Sequence, residues 1–301
     1  MADYLIKRVR LDGDAAVELT TGALRLVTLT ARGPRVAHLS RPEGRNLLLW
    51  KPGKYRRNTW DLMGGHRCWL ARPGADESEE TYFPDNRPCS VALRDDGFTV
   101  QTPPDACSRV VRGLNVQILA ADRLRVRHFA RNESDMLWSG ALWGLTCTLP
   151  TPSTTYTIPL SDGTSWDTAT MTFFKSWAGH TGAYDDPQFK LTADSLVVRS
   201  LGRENKRAIR AAAGIMAMHD RERDVLFAKR SPLITGAPYP VDSNLAIYTG
   251  PDSFMVEMES LSPTTTLRPG ETHSHDEEWL LRAAPARRPE AEALRALFET
   301  A

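Results

Sequence analysis

The chain has 301 residues, of which 41% are hydrophobic, and a formal net charge of +1. That is enough apolar material for a sizeable core, and the near-neutral balance gives no electrostatic reason to expect nucleic acid or an anionic membrane as partner. No run approaches the ~20 apolar residues of a membrane span and the N-terminus carries no apolar leader-like segment. Four cysteines without CxxC spacing read as free thiols in a reducing compartment. These bounds predict a soluble cytoplasmic protein, organised as one domain over residues 1–301.

Strand signals dominate in chain order. Leu24, Leu26 and Thr28 alternate with Arg25, Val27 and Leu29, and Arg32-Gly33-Pro34 turns the chain into 35–39. Residues 51–89 are turn-rich and full of Trp, Tyr, His and Arg, so they read as a long functional loop in which Gly64-Gly65 permits positive φ or close backbone approach before His66 and Arg67. Taken by itself, His66 reads first as a hydrogen-bonded packing histidine, and Asp85-Asn86 after Pro84 equally as an ordinary Asx turn. Asp95-Asp96-Gly97 marks a hairpin. Leu124, Val126, His128 and Ala130 share one strand face; the arginines at 123, 125, 127 and 131 form a solvated row or the mate of an acidic strand. Ala141, Trp143, Leu145 and Cys147 mark a further strand, and residues 150–190 a second irregular, aromatic-rich stretch containing His180. Residues 211–229 form a hairpin, and Pro238-Tyr239-Pro240 leads into 243–249. Residues 288–298 carry Ala291, Leu294, Leu297 and Phe298 at helical spacing.

Between 254 and 281 the pattern sharpens. Phe254, Val256 and Met258 alternate with Glu257 and Glu259, which puts both carboxylates on one face of a strand, about 7 Å apart. A solvated face explains two such acids as well as a cleft in which one acts as a general base. After Leu267-Arg268-Pro269-Gly270-Glu271 the chain returns as a second strand through Trp279.

Gly64-Gly65-His66-Arg67-Cys68-Trp69, Pro84-Asp85-Asn86 and the closing run from Glu257 to Trp279 occur in an order that resembles the galactose mutarotase-like (aldose 1-epimerase) superfamily, closest to an uncharacterised bacterial branch of it. The resemblance spans about 24–279. It implies an all-β fold, a large antiparallel β-sandwich (the galactose mutarotase-like supersandwich), here with a short C-terminal helix. It also implies a sugar or sugar-like small-molecule substrate without a cofactor, and acid–base isomerase chemistry in a cleft. A late-strand Glu is the base in that family and histidines are the acids. Here Glu259 fits best as base, with Glu257 as the alternative and His66 in the acid's segment. Arg67, Trp69, Asp85, Asn86, Trp143, His180 and Tyr239 become the substrate-binding candidates. One departure stands out: the family's second histidine has no counterpart, and the matching strand carries Trp143, which cannot transfer a proton, so His66 or His180 would have to be the acid.

Two other classes stay in view. A non-catalytic sugar-binding module needs no proton donor, and the same cleft could serve a non-sugar substrate in biosynthesis. His273-x-His275-x-Glu277 places three N/O donors on one strand face, but the charged end of a terminal strand is the better reading, so no metal site is expected. No nucleophile elbow or phosphate-cradling glycine loop is present.

Overall fold

The computed structural model describes residues 4–57, 60–71, 86–160, 168–174 and 182–299. Two large sheets face each other. The first runs β1 (Tyr4–Leu11), β2 (Asp14–Thr21), β3 (Arg25–Leu29), β4 (Arg35–Ser40), β7 (Gly65–Ala71), β12 (Trp138–Thr148), β21 (Val256–Leu261), β20 (Leu245–Thr249), β17 (Asn205–Arg210) and β14 (Thr170–Phe173), with β22 (Thr265–Leu267) on the end of β12. The second runs β15 (Phe189–Leu191), β16 (Ser195–Val198), β13 (Thr155–Pro159), β18 (Ile215–Asp220), β19 (Val225–Arg230), β23 (Thr272–Arg282), β11 (Arg123–Asn132), β10 (Val110–Ala120), β9 (Gly97–Gln101) and β8 (Ser90–Arg94). A small ribbon, β5 (Arg56–Arg57) with β6 (Trp60–Asp61), lies apart from both. Neighbouring strands are antiparallel, so each carries one face inward and one outward by the two-residue pleat.

The core is built from the inward faces. Val17, Leu26, Val36, Cys68, Leu142 and Met258 of the first sheet meet Phe98, Val116, Val126, Phe227, Trp279 and Leu281 of the second. Helix α1 (Ala291–Ala296) covers the other side of the second sheet, where Leu294 and Phe298 pack on Ile215, Leu226, Ala228 and Leu280. The arginine row finds its acids on β23: Arg123 bonds Glu278 at 2.5 Å and Arg127 bonds Asp276 at 2.7 Å.

The sandwich and its terminal helix match the sequence expectation. The 51–89 stretch does not match as a whole, because β7 lies within it, buried at the middle of the first sheet. Gly64 and Gly65 enter this strand with φ of +94° and +77°, and a Cβ would stand 2.2 Å from the Leu49 carbonyl at the first and 2.4 Å from that of Val36 at the second. Both glycines therefore meet both conditions that the sequence raised, positive φ and close backbone approach.

Candidate functional site

Three adjacent strands build the site on the outward face of the first sheet. Val256 and Met258 of β21 enter the core, which sends Glu257 and Glu259 outward. The register sets Arg67 beside Leu145 beside Glu259, and Trp69 beside Trp143 beside Leu261. Trp69 and Trp143 meet edge to face at 5.7 Å, and the Arg67 guanidinium lies 4.2 Å from the Trp69 ring centre.

The carboxylates have separate partners. Glu257 Oε1 accepts from Arg67 Nη2 at 3.2 Å and from the Cys147 thiol at 3.2 Å. Burial pushes that thiol up to about 12, so it stays protonated and donates. Glu259 Oε2 accepts from the Trp143 indole at 2.8 Å and from Lys206 Nζ at 2.9 Å. Glu259 Oε1 is buried and has no hydrogen-bond partner among the described residues. Burial raises the Glu259 carboxyl above its ordinary value, with Lys206 opposing and the Glu257 charge adding to the rise. Glu259, Lys206, Trp143, Phe174 and Val241 line a cavity of about 30 Å³, room for one hydroxyl- or water-sized group.

His66 goes elsewhere. It neighbours Arg67 on β7 and points the opposite way, into the space between the sheets, where it is fully buried. Its Nε2 meets His128 Nε2 at 2.8 Å, its Nδ1 meets Thr146 Oγ1 at 2.9 Å, and its ring edge rests on Trp279 at 4.7 Å. The placement of His66 beside the carboxylates is thus corrected: strand alternation separates it from them by the thickness of the sheet.

The interior around His66 is a closed polar network. His128 Nδ1 donates to the His275 carbonyl at 3.0 Å, so a neutral His128 accepts at Nε2. His66 then donates from Nε2 and accepts at Nδ1 from Thr146. Lys229 Nζ donates to Thr146 Oγ1 at 3.1 Å, to the Met258 carbonyl at 2.9 Å and to Glu277 Oε1 at 2.6 Å. Trp279 donates to Glu277 Oε2 at 2.7 Å, and the Ser260 hydroxyl donates to Glu277 while accepting from His275 at 2.7 Å. Burial drives His66 well below its ordinary value and takes His275 to about 3, which keeps both neutral. Burial pushes Glu277 up, but the Lys229 charge and its hydrogen bond outweigh it and leave the carboxyl below its usual range.

His66, His128 and Glu277 bring three ligand-type atoms within 4.8 Å of one another. Lys229 already supplies the compensating charge, and the four nitrogens of His66 and His128 all have a hydrogen-bond role, so protons complete this donor set. His273 does not join it; its Nε2 bonds Ser262 Oγ at 2.9 Å.

The remaining candidates divide. Trp69, Arg67 and Trp143 belong to the carboxylate face. The Tyr239 hydroxyl accepts from the Ile234 amide at 2.9 Å and braces its own loop, whose neighbour Val241 reaches the cavity. The Asn86 amide donates to the Asp61 carbonyl at 3.4 Å, and no bond links it to either carboxylate. Asp85 and His180 lie outside the described residues. The sequence reading missed Lys206 and Lys229. For Lys229 the signal was its period-2 place behind Val225 and Phe227, on a face that must be apolar.

No protein-family model and no curated protein sequence matches the chain. Solved structures do match it in fold. A galactose mutarotase-like protein from Lactobacillus casei ATCC 334 superposes with a TM-score of 0.62 at 12% identity, over 92% of this chain and 100% of that one. A candidate aldose 1-epimerase from Escherichia coli K12 gives 0.62 at 11% identity, over 93% and 100%. A galactose mutarotase-like protein from Clostridium acetobutylicum gives 0.60 at 11%, over 93% and 99%. The chain therefore has the galactose mutarotase-like fold. At these identities the likeness is one of architecture, and residue roles rest on this chain's own geometry.

Proposed function

We propose that the protein is a carbohydrate-active isomerase of the aldose 1-epimerase type, working in the cytoplasm on a sugar held over the outward face of the first sheet. One observation carries the reading: Glu259, buried and with one oxygen unpartnered among the described residues, lines a hydroxyl-sized cavity walled by Trp143. A buried carboxylate oxygen without a donor costs roughly 1–3 kcal/mol, which a sugar hydroxyl would recover. Its raised proton affinity suits a group that must take a proton from the anomeric hydroxyl and return it. The Trp143 indole holds the other Glu259 oxygen at 2.8 Å, which fixes the carboxylate while its second oxygen meets the substrate. The test is polarimetry of anomer exchange across a panel of aldoses. Exchange above the buffer rate for at least one of them supports the reading. Sugar binding by calorimetry without any acceleration would make the protein a binding module instead.

A further inference from the structure

We propose that Lys206 is the proton donor of this site, acting with Glu259 as a carboxylate–ammonium couple across one hemiacetal carbon. The inference rests on the anomer-exchange reading above and supplies the acid that reading lacks.

The outward face narrows the choice. Arg67 is bound by Glu257, and a guanidinium does not give up its proton in a protein. Burial pushes the Cys147 thiol up to about 12, so it holds its proton too tightly. The Tyr248 phenol is raised by burial and its hydroxyl bonds Glu204. The Trp143 indole donates a hydrogen bond without releasing a proton, and His66 is on the other side of the sheet. Among the described residues, Lys206 is the exchangeable acid in contact with Glu259, at 2.9 Å, and it lines the same cavity.

The strands explain the contact. Lys206 sits on β17 and Glu259 on β21, with β20 between them. The β20 residue opposite Glu259 is Ala246, whose small side chain lets the two long ones close above it. Trp143 flanks the pair, its ring centre 4.5 Å from Lys206 Nζ, and its indole fixes the Glu259 oxygen that Lys206 shares. That leaves Glu259 Oε1 for a substrate hydroxyl.

The proton balance closes. Glu259 takes the proton of the anomeric hydroxyl, the C1–O5 bond breaks with its electron pair moving to O5, and Lys206 protonates O5. The products are an open-chain aldehyde, a neutral carboxylic acid and a neutral amine. Rotation about C1–C2 presents the other carbonyl face. Lys206 then takes the proton back from the O5 hydroxyl, O5 attacks C1, and Glu259 returns its proton to O1. No co-reactant is consumed. The pair passes from one ion pair to two neutral groups, so the buried site never carries net charge, as a low-dielectric surrounding favours.

The experiment is the polarimetric kcat and KM of wild type, Lys206→Arg and Lys206→Met, the last with and without methylamine, with thermal melts to check folding. Lys206→Arg keeps the charge and the bond to Glu259, so it should fold and bind sugar while kcat falls by ~10²–10⁴-fold at similar KM. Methylamine should restore part of the rate to Lys206→Met. A folded Lys206→Arg with wild-type turnover, or a slowed one with no amine rescue of Lys206→Met, overturns the proton-donor role and leaves anomer exchange standing. A wild-type protein that accelerates no aldose overturns both.

Discussion

His66 and Arg67 are consecutive on β7, yet the imidazole bonds His128 between the sheets and the guanidinium bonds Glu257 on the outward face. The strand thereby divides two polar systems of opposite purpose. The inner one has its histidine, lysine and glutamate bonds closed on itself, whereas the outer one leaves Glu259 Oε1 open among the described residues.

Glu259→Gln should retain sugar affinity and lose ~10²–10⁴-fold in turnover, because the amide keeps the shape but cannot accept the proton. Glu257→Gln, which still offers Arg67 an acceptor, should fall far less. In wild type the acidic limb of kcat should lie above the ordinary carboxylate value of 4.5, since burial raises the Glu259 carboxyl and the base must be ionised to act. Steady-state polarimetry from pH 4 to 9 checks all three.

Lys229→Met should be among the most destabilising single changes in the protein. It strands the Glu277 charge between the sheets with both residues essentially solvent-free, and such half-broken pairs cost roughly 3–5 kcal/mol. Lys229→Met with Glu277→Gln removes the stranded charge and should recover part of the loss. Urea denaturation of the single and double variants measures the difference.

Acid should weaken the fold earlier than carboxylate titration alone would. His275 has an ordinary value of 6.5, and burial takes it to about 3 in the folded state, so between these limits the unfolded chain binds more protons. Its stabilising contribution is full above about pH 6.5 and is lost as pH falls toward 3. His275→Gln, which keeps a donor for Ser260, should flatten the decline of the melting temperature through that window.

Gly144→Ala should cost about 1–3 kcal/mol without touching the outward face. A Cβ there would stand 2.9 Å from Glu277 Oε1 and 2.9 Å from His128 Nε2, both held by other bonds and unable to move aside freely. A melt of the variant, with sugar affinity unchanged, is the expected pairing of results.

Much of the sandwich was legible where one strand face is apolar and the other polar. Met258 between Glu257 and Glu259, and Val126 between Arg125 and Arg127, announce their orientation directly. β7 gave no such contrast, because both of its faces are buried and both carry polar side chains, so GHRCWLA reads as loop. The edge strand β1 failed for the opposite reason, exposure along most of its length. The carboxylate pair needed only local alternation. Lys206 and Lys229 needed partners 53 and 48 residues away before burial made sense, and a strand lysine otherwise reads as solvent-facing.

The divided chemistry of β7 also fixes how the sheet can be assembled. Sliding β7 by one position against β12 would turn Arg67 and Trp69 inward and His66 and Cys68 outward. A guanidinium would then face the Lys229 ammonium, Glu257 would lose its cation, and His128 would lose the donor it requires. Many strands tolerate misalignment because an apolar face slides over another at little cost; this one has a reading frame, enforced by charge.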